Sequence, residues 1–333
     1  MTSAGESRPY LSVVVPVFDE EESVALLHQR VREAGRSLGR AHEIVFVDDG
    51  SQDRTFEILR ELAREHDEVK ALRLRRNYGQ TAAMAAGFEV ARGAVVVSMD
   101  GDLQNDPADI PRLVATLEQG YDVVCGWRKE RQDKLISRRI PSLVANWIIG
   151  KVTGVSIHDN GCSLKAYRAS VIKSTSLYSE LHRFIPAMST LTGARIAEIV
   201  VQHHARRFGR SKYGLGRIWR VFLDIIVVKM ITSFSSRHAL WFGLLGLPIV
   251  ALGAGLLMLR LAPGWTIEEG LLLSTLAFLL FFLGAHVLSM GILAELAMRT
   301  GDFRPGRTLQ PTLRMLEVEC DRDENGGRNA NGR

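Results

Sequence analysis

Two long apolar segments near the carboxyl end constrain the fold of this chain more than any other feature. Leu240–Leu261 and Leu271–Leu293 are each about as long as a helix must be to cross the core of a bilayer. The alternative is that they are core helices of a soluble protein. This alternative is weaker, because two such segments follow each other with only the short loop Ala262–Gly270 between them. The sequence therefore predicts two transmembrane helices.

Charged residues around this pair of segments predict their orientation. The loop between them contains Glu268 and Glu269 and no Lys or Arg, whereas basic residues flank the pair at positions 229, 237, 299, 304 and 307. Because basic residues favour the cytoplasmic side, we expect an integral protein of the inner (cell) membrane with both termini in the cytoplasm. The formal net charge is +5, and basic clusters beside membrane segments favour anionic lipid or phosphate over nucleic acid as partners.

Strand-like and helix-like segments alternate over residues 11–126. The predicted strands are Leu11–Val15, Glu43–Val47, Val69–Leu74, Ala94–Met99 and Asp122–Cys125, and the predicted helices are Glu20–Leu38, one that ends at His66, Gly79–Ala91 and Pro107–Gln119. This order predicts an α/β fold with a doubly wound, mostly parallel sheet, whose ligands bind at the carboxyl ends of the strands. The sequence has no P-loop and no G-x-G-x-x-G motif at the first helix, which argues against an NTPase or a dinucleotide oxidoreductase.

A buried strand that ends in two carboxylates is the strongest chemical signal. The apolar run 95–97 is followed closely by Asp100 and Asp102. Two carboxylates one residue apart can bind one hard cation, and Mg²⁺ commonly takes one or two protein carboxylates while phosphate oxygens complete its coordination. The alternative is an acidic turn that caps the helix at Pro107, a role that suits Asp106. The pattern favours a cation site for a substrate that carries a diphosphate.

The remaining segments are less informative. Residues 1–10 are short and polar, without the apolar core of a signal peptide, and we expect them and the tail over 299–333 to be disordered. Arg and Lys alternate with apolar residues in Gly216–Ser235, which predicts an interfacial amphipathic helix. The three widely spaced cysteines offer neither a disulfide framework nor a zinc pattern, and they fit a reducing compartment.

Five motifs occur together in an order that resembles one enzyme family. They are Val14–Glu21, Val47–Ser51, Asp100–Gln104, Gly161–Arg168 and Arg206–Tyr213. Together they resemble the polyprenyl-phosphate branch of glycosyltransferase family 2, which includes dolichol-phosphate mannosyltransferases, bactoprenol glucosyltransferases and aminoarabinose-lipid transferases. The resemblance implies a GT-A-type domain with a doubly wound mixed sheet over residues 11–214, an interfacial amphipathic helix over 215–237 and two transmembrane helices within 238–298.

The resemblance assigns the polar strand ends to a donor site. It implies that the nucleotide sugar is bound by Pro16, Phe18, Glu20, Asp49 and Asp100, and that Asp100, Asp102 and Gln104 hold a divalent cation, Mg²⁺ or Mn²⁺. Such an ion neutralises charge that develops on the departing nucleotide. For Asp19 and Asp48, capping of the following helix is an equally good interpretation.

Cationic and hydroxyl side chains are expected to bind the acceptor phosphate. The candidates are Arg128, Arg138, Arg139, Ser142, Arg206, Ser211 and Lys212. Arg206 and Lys212 rank first because they match the R-x-x-G-x-S-K-Y signature of the family. Arginine suits this role because it binds phosphate bidentately and stays charged. For Arg131, Arg207 and Arg210, a solvated or headgroup-facing position is the better interpretation.

Two aspartates are expected to be catalytic, Asp102 through the cation and Asp159 through the acceptor. Asp159 aligns with the residue to which the family assigns acceptor activation. A lipid monophosphate is already largely deprotonated at neutral pH, so it needs little base catalysis, and a nearby carboxylate would repel it. Asp159 could instead orient a sugar hydroxyl or the Lys165 ammonium, and its role stays open. The histidines at 158, 203 and 204 are predicted to be structural.

These observations predict an inverting, membrane-bound glycosyltransferase. It would move a hexose from a nucleotide diphosphate sugar to polyprenyl (undecaprenyl) phosphate, for a cell-envelope glycan or lipid. UDP-glucose is the first choice of donor, and GDP-mannose and a UDP-aminoarabinose type are alternatives, as is a non-catalytic membrane scaffold that binds a nucleotide sugar. A processive synthase would need a Q-x-x-R-W motif and further spans, which the sequence lacks. Assembly into a homo-oligomer is left open.

Overall fold

A computed structural model describes residues 8–129, 149–151, 154–155, 157–175, 181–190, 193–205, 238–300 and 316–317. The predicted interfacial helix over 215–237 lies outside the described residues. The chain divides into two compact units, one of Met1–Ile226 with Pro305–Arg333 and the other of Val227–Arg304.

A single mixed sheet forms the centre of the first unit. Among the described residues its strands are β1 (Leu11–Val17), β2 (His42–Asp48), β3 (Val69–Leu74), β4 (Val95–Ser98), β5 (Val123–Trp127), β6 (Lys165–Arg168), β7 (Ile196–Val200) and β8 (Leu316–Glu317). Their order across the sheet is β7-β5-β6-β4-β1-β2-β3-β8. Strands β4, β1, β2 and β3 run parallel, whereas β6 is antiparallel to both of its neighbours. The predicted doubly wound mixed sheet is therefore confirmed.

Helices connect the parallel strands on both faces of the sheet. They are α1 (Val24–Ser37), α2 (Thr55–Glu65), α3 (Gln80–Val90) and α4 (Ile110–Glu118), followed by the short helices α5 (Ala169–Ser174) and α6 (Ile185–Ser189). Helix α1 begins four residues after the predicted start at Glu20, because residues 20–23 form turns that bond to the segment after β2. A short 3₁₀ turn, Pro107–Asp109, precedes α4.

Both faces of the central strands are buried, as the β-branched runs predict. In β1, Val13 and Val15 belong to the core cluster that also contains Leu27 of α1, whereas Val14 faces the opposite cluster against α3. Gly87 permits the close approach of α3, since a Cβ atom at that position would lie 2.3 Å from Cγ1 of Val14. The packing fixes the start of α3 at the carboxyl edge of the sheet.

The second unit contains two long apolar helices, α7 (His238–Arg260) and α8 (Ile267–Thr300). Both are long and apolar enough to cross a membrane, and α8 continues several residues beyond the predicted end at Leu293. Small residues bring the two helices together: a Cβ atom on Gly284 would lie 2.9 Å from the backbone nitrogen of Val250. Close backbone approach at glycine is typical of helices that pack within a bilayer.

The carboxyl-terminal tail departs from the predicted disorder at one point. Leu316 and Glu317 form β8, which pairs antiparallel with Leu74 and Arg73 at the edge of the sheet. Without β8, the backbone groups along this edge of β3 would be unpaired, and β8 covers them at two positions. The tail therefore returns to the first unit after the two apolar helices.

Candidate active site

The loop after β4 carries the acidic pair at the carboxyl edge of the sheet. Asp100 and Asp102 are both partly exposed there, while Gly101 between them is buried. A side chain at Gly101 would meet the carbonyl oxygen of Pro16 at 3.2 Å, so glycine lets the loop lie against the end of β1. Leu103 has a φ of 59°, an unusual left-handed conformation for a side chain of this type. The tight turn holds both aspartates beside the strand ends.

Both aspartates accept hydrogen bonds from within the protein. Nε2 of Gln80, the first residue of α3, donates to Oδ1 of Asp100 over 2.5 Å. The backbone N–H of Gln104 donates to Oδ1 of Asp102 over 3.2 Å, and Nε2 of Gln104 lies 3.5 Å from the carbonyl oxygen of His204. The described residues contain no group of three or more His, Cys, Asp or Glu side chains suited to a metal ion. Two carboxylates and a substrate diphosphate nonetheless suit Mg²⁺ or Mn²⁺.

Asp49 lies at the end of β2 and is 4% exposed. Its two carboxylate oxygens accept the backbone N–H groups of Tyr78 and Gly79, both over 2.8 Å. Burial raises the pKa of Asp49 to about 6, although these two hydrogen bonds act in the opposite direction. Since Gln80 follows directly and contacts Asp100, the segment 78–80 joins Asp49 to the acidic loop.

The other predicted donor-site residues lie at the end of β1 or just after it. Pro16 pairs with Val47 of β2, and Phe18 and Glu20 follow the strand. Oε2 of Glu20 accepts a hydrogen bond from Oγ of Ser23 over 2.7 Å, and the same hydroxyl lies 3.3 Å from the carbonyl oxygen of Gly101. Glu20 is thus connected to the acidic loop through one serine.

Asp19 and Asp48 have structural hydrogen bonds. Asp19 accepts the backbone N–H of Gln52 over 2.9 Å and so ties the loop after β1 to the loop after β2. Asp48 is fully buried and accepts the backbone N–H and the hydroxyl of Ser51, while Arg73 lies 3.4 Å away. Both residues therefore hold loops together, but neither caps the following helix as the alternative predicted, because the N-cap residues of α1 and α2 are Ser23 and Arg54. Asp106, by contrast, does cap its turn, because its side chain accepts the N–H of Ala108 over 3.0 Å.

A second chain segment crosses the acidic loop. Asn105 and His203 form an isolated antiparallel bridge, and the backbone N–H of His204 donates to the carbonyl oxygen of Gln104 over 2.8 Å. His204 also contacts Asp106 through Nε2 over 2.9 Å. Residues 201–205 lead directly into the basic motif that starts at Arg206. The described residues that precede this motif therefore lie beside the acidic loop.

Asp159 and Arg128 bind each other rather than standing apart. Oδ2 of Asp159 accepts from Nε of Arg128 over 2.7 Å, and Oδ1 accepts from Nη2 over 3.0 Å. Asp159 is 2% exposed. The predicted catalytic carboxylate is thus half of a buried bidentate ion pair with one of the predicted phosphate ligands. The Lys165 ammonium donates to the carbonyl oxygens of Asn160 and Cys162.

Several predicted acceptor residues lie outside the described residues. They are Arg138, Arg139, Ser142, Arg206, Ser211 and Lys212, together with Arg131, Arg207 and Arg210. Their predicted roles stay predictions.

Three residues that hold this site together could not be predicted from the motifs. Gln80 contacts Asp100, Glu198 of β7 binds the loop before Asp159, and Trp127 stacks on His158 with ring centroids 4.3 Å apart. Glu198 could have been noticed as a carboxylate within the apolar run 196–200. No local pattern marks Gln80 or Trp127. The three histidines predicted to be structural do have structural contacts, His158 with Glu198 and the other two with the acidic loop.

Comparison with known proteins identifies close relatives. A family model described as "Glycosyl transferase family 2" matches residues 12–175. Dodecaprenyl-phosphate galacturonate synthase of Rhizobium johnstonii is 45% identical over 307 residues, which cover 87% of this chain and 88% of the relative. Undecaprenyl-phosphate 4-deoxy-4-formamido-L-arabinose transferase of Edwardsiella ictaluri is 43% identical over 291 residues, covering 86% of this chain and 88% of the relative.

Solved structures agree on the fold. Glucosyl-3-phosphoglycerate synthase from Mycobacterium tuberculosis, in complex with Mn²⁺ and UDP-glucose, superposes with a TM-score of 0.52 and 20% sequence identity. The alignment covers 66% of this chain and 79% of that structure. At this identity the similarity concerns the architecture of the domain alone.

Proposed function

The chain belongs to glycosyltransferase family 2, and from this premise we propose that it transfers a sugar from a nucleotide diphosphate donor to the phosphate of a polyprenyl phosphate. One observation carries the proposal beyond family membership. The segment 78–80 binds Asp49 at one end and Asp100 at the other, so the two residues proposed for the nucleotide and for the cation belong to one connected structure. A donor with a nucleotide and a diphosphate would span these two points.

For the donor, we propose a UDP-activated sugar acid or formamido sugar in place of UDP-glucose. The relatives at 45% and 43% identity are named for galacturonate and for 4-deoxy-4-formamido-L-arabinose, and neither name contains glucose. Galacturonate ranks first because that relative has the higher identity. GDP-mannose stays a weaker alternative.

Asp100 and Asp102 would hold the divalent cation against the donor diphosphate. When bound, such a cation supplies charge neutralisation for the departing nucleoside diphosphate. The protein fixes both carboxylates before substrate binds, Asp100 through Gln80 and Asp102 through the backbone of Gln104. Preformed geometry of this kind lowers the cost of reorganisation during the reaction.

The acceptor phosphate would act as the nucleophile without a protein base. One of its oxygens would bond to the anomeric carbon while the bond from that carbon to the diphosphate breaks, with inversion in a single displacement. Because the second pKa of a phosphate monoester is about 6, no proton has to be removed at neutral pH. We therefore propose that Asp159 holds Arg128 in place for the acceptor phosphate, and that Arg206 and Lys212 complete the site.

Membrane attachment would bring the lipid acceptor to this site. The apolar helices α7 and α8 and the lipid named in both relatives support a membrane protein. A cytoplasmic catalytic unit is proposed from the charge pattern around the helices. Pairing of β8 with β3 supports the part of this proposal that concerns the tail, because the catalytic domain and the tail must then lie on the same side of the membrane.

Transfer of radiolabelled sugar into extractable lipid tests the proposal. The purified full chain in detergent is given undecaprenyl phosphate and, in turn, UDP-galacturonate, the UDP-activated formamido sugar, UDP-glucose and GDP-mannose. We expect label in lipid from one of the first two donors, its loss with EDTA, and a decrease of about a hundredfold or more in Asp102→Asn.

Asp67→Asn is the matched control, since it changes an exposed aspartate before β3 and should leave transfer unchanged. Nucleotide binding without transfer from any donor would contradict the proposal and favour the scaffold alternative. Label from UDP-glucose alone would contradict only the donor class.

A further inference from the structure

Glu198 is an unusual residue for the middle of an edge strand. It pairs with Cys125 of β5 and lies between Ala197 and Ile199. An edge-strand carboxylate ordinarily points into solvent, but the side chain of Glu198 is only 13% exposed. Its contacts explain the burial.

The carboxylate of Glu198 binds two consecutive residues of the loop before β6. Oε1 accepts the backbone N–H groups of His158, over 3.0 Å, and Asp159, over 3.1 Å. Oε2 lies 2.7 Å from Nδ1 of the His158 ring. Hydrogen bonds to an ionised acceptor are roughly twice as strong as those between neutral groups. The loop is therefore fixed from β7 at the residue that binds Arg128.

The same loop is held from β5. The rings of Trp127 and His158 are stacked with an interplanar angle of 18°. The backbone N–H of the next residue, Arg128, lies 3.4 Å from Oδ2 of Asp159, in addition to the two bonds from its guanidinium. The guanidinium of Arg128 thus has its position set by Asp159, whose own backbone is anchored on Glu198.

We infer that Glu198 is a positioning residue for acceptor binding, which acts through the His158–Asp159 backbone on Arg128. The inference rests on the proposed function, in which Arg128 contacts the acceptor phosphate. Glu198 cannot bind that phosphate itself, because both groups are negatively charged. A role as general base is also disfavoured, since both of its oxygens already accept hydrogen bonds from backbone N–H groups of the loop.

The substitution Glu198→Gln tests this inference. The amide keeps the size of the side chain but replaces one acceptor oxygen with an NH₂ group. In either orientation this group faces a donor, because the backbone N–H of His158 lies within 3.2 Å of both carboxylate oxygens. We expect the KM for undecaprenyl phosphate to rise about tenfold, the size of effect that loss of a charge-assisted hydrogen bond produces. The KM for the nucleotide sugar and the affinity for UDP should change less than about twofold, because the hydrogen bonds of Asp49 and Asp100 are to the segment 78–80 and not to this loop.

Glu68→Gln is a matched control. Glu68 also pairs with an arginine, Arg32, over 2.7 Å, and it precedes β3, which lies six strands away from β7 across the sheet. The Glu68→Gln substitution should leave the KM values for the lipid and for the nucleotide sugar unchanged.

A double-mutant cycle with Arg128→Lys identifies the route of the effect. If Glu198 acts through Arg128, the double variant should bind the lipid about as poorly as Arg128→Lys alone, because neighbouring residues of one network are not additive. Fully additive losses would overturn the inference. So would a wild-type KM for the lipid in Glu198→Gln, or an equal rise in both KM values.

Direct binding of a short-chain polyprenyl phosphate, measured by calorimetry on the full chain in detergent, separates this inference from the proposed function. If the wild type binds the lipid but transfers no sugar, the proposed function is contradicted. The difference in lipid affinity between the wild type and Glu198→Gln still decides whether Glu198 positions Arg128. Absence of lipid binding by the wild type overturns both. If Glu198→Gln does not fold, His158→Phe serves in its place. This substitution keeps the stack on Trp127 and removes only the contact between the His158 ring nitrogen and Glu198, and we then expect the KM for the lipid to rise a few-fold.

Discussion

At the carboxyl end of β2, burial keeps the pKa of Asp49 near 6, well above the value of an exposed carboxyl group. The folded protein therefore binds this proton more tightly than the unfolded chain does. The associated stability is present below the unfolded pKa of about 4 and is lost as the pH rises through 6. Nucleotide binding should respond in the opposite direction, because an ionised Asp49 is the better acceptor for a base or ribose donor.

The raised pKa of Asp49 leads us to expect that the affinity for the donor depends on pH. The Kd for the UDP-sugar should rise about tenfold between pH 7 and pH 5, as the carboxylate is protonated. Calorimetry should use the UDP-sugar rather than UDP, because the diphosphate of the sugar ester lacks the phosphate group that titrates near pH 6. Asp49→Asn should bind more weakly at pH 7 and lose the slope. An unchanged slope in this variant would assign the titration to another group.

At this scale the sequence predicts the chemistry of a residue better than its partner. Asp100 and Asp102 could be recognised because an apolar strand precedes them directly. The bond between Gln80 and Asp100 could not, because its partners are 20 positions apart and meet only when α3 packs against the sheet. The Asp159–Arg128 pair illustrates the same limit: both residues were predicted for the site, but not that they would bind each other.

Among the elements, periodicity located the strands and helices of the first 126 residues to within a few positions. The same reasoning assigned no strand after Cys125, although β6 and β7 complete the sheet. Strand β6 covers only Lys165–Arg168, three of whose residues are polar or aromatic, and it is recognisable only from its antiparallel pairing with β4 and β5. Short strands of this kind depend on their neighbours more than on their own pattern.

The contact between α3 and β1 gives a prediction at this scale. Helix propensity alone would make Gly87→Ala stabilising by up to about 1 kcal/mol. The added methyl group would instead meet Cγ1 of Val14 at 2.3 Å, and overpacking of this kind costs about 1–3 kcal/mol. We expect the thermal midpoint of the full chain in detergent to fall by a few degrees.

Gly255→Ala is the comparison for Gly87→Ala. Gly255 lies within α7 and has no atom within 4 Å of an added Cβ, so its substitution should leave the midpoint unchanged or slightly higher. A midpoint for Gly87→Ala at or above the wild-type value would mean that α3 can move away from β1 without cost.

For the whole molecule, the main question is on which side of the membrane each part lies. Two transmembrane helices return the chain to its starting side, and β8 requires that return, since it pairs with a strand that precedes both helices. The apolar segments were predictable from composition, whereas β8 was not, because two residues carry no periodic pattern. The loop between the helices carries Glu268 and Glu269 without a basic residue, which favours the non-cytoplasmic side.

Cysteine labelling in oriented membrane vesicles tests this topology. Pro263→Cys places a thiol in the exposed loop between α7 and α8, and Asp67→Cys places one on the exposed surface of the catalytic unit, both in a Cys320→Ser background. A membrane-impermeant maleimide should label Pro263→Cys in right-side-out vesicles and Asp67→Cys in inside-out vesicles. The remaining Cys125 and Cys162 are buried, and burial raises their thiol pKa values to about 12 and about 11, so the background should stay unlabelled. Labelling of both variants from one side would contradict the two crossings, and the reverse pattern would place catalysis outside the cytoplasm.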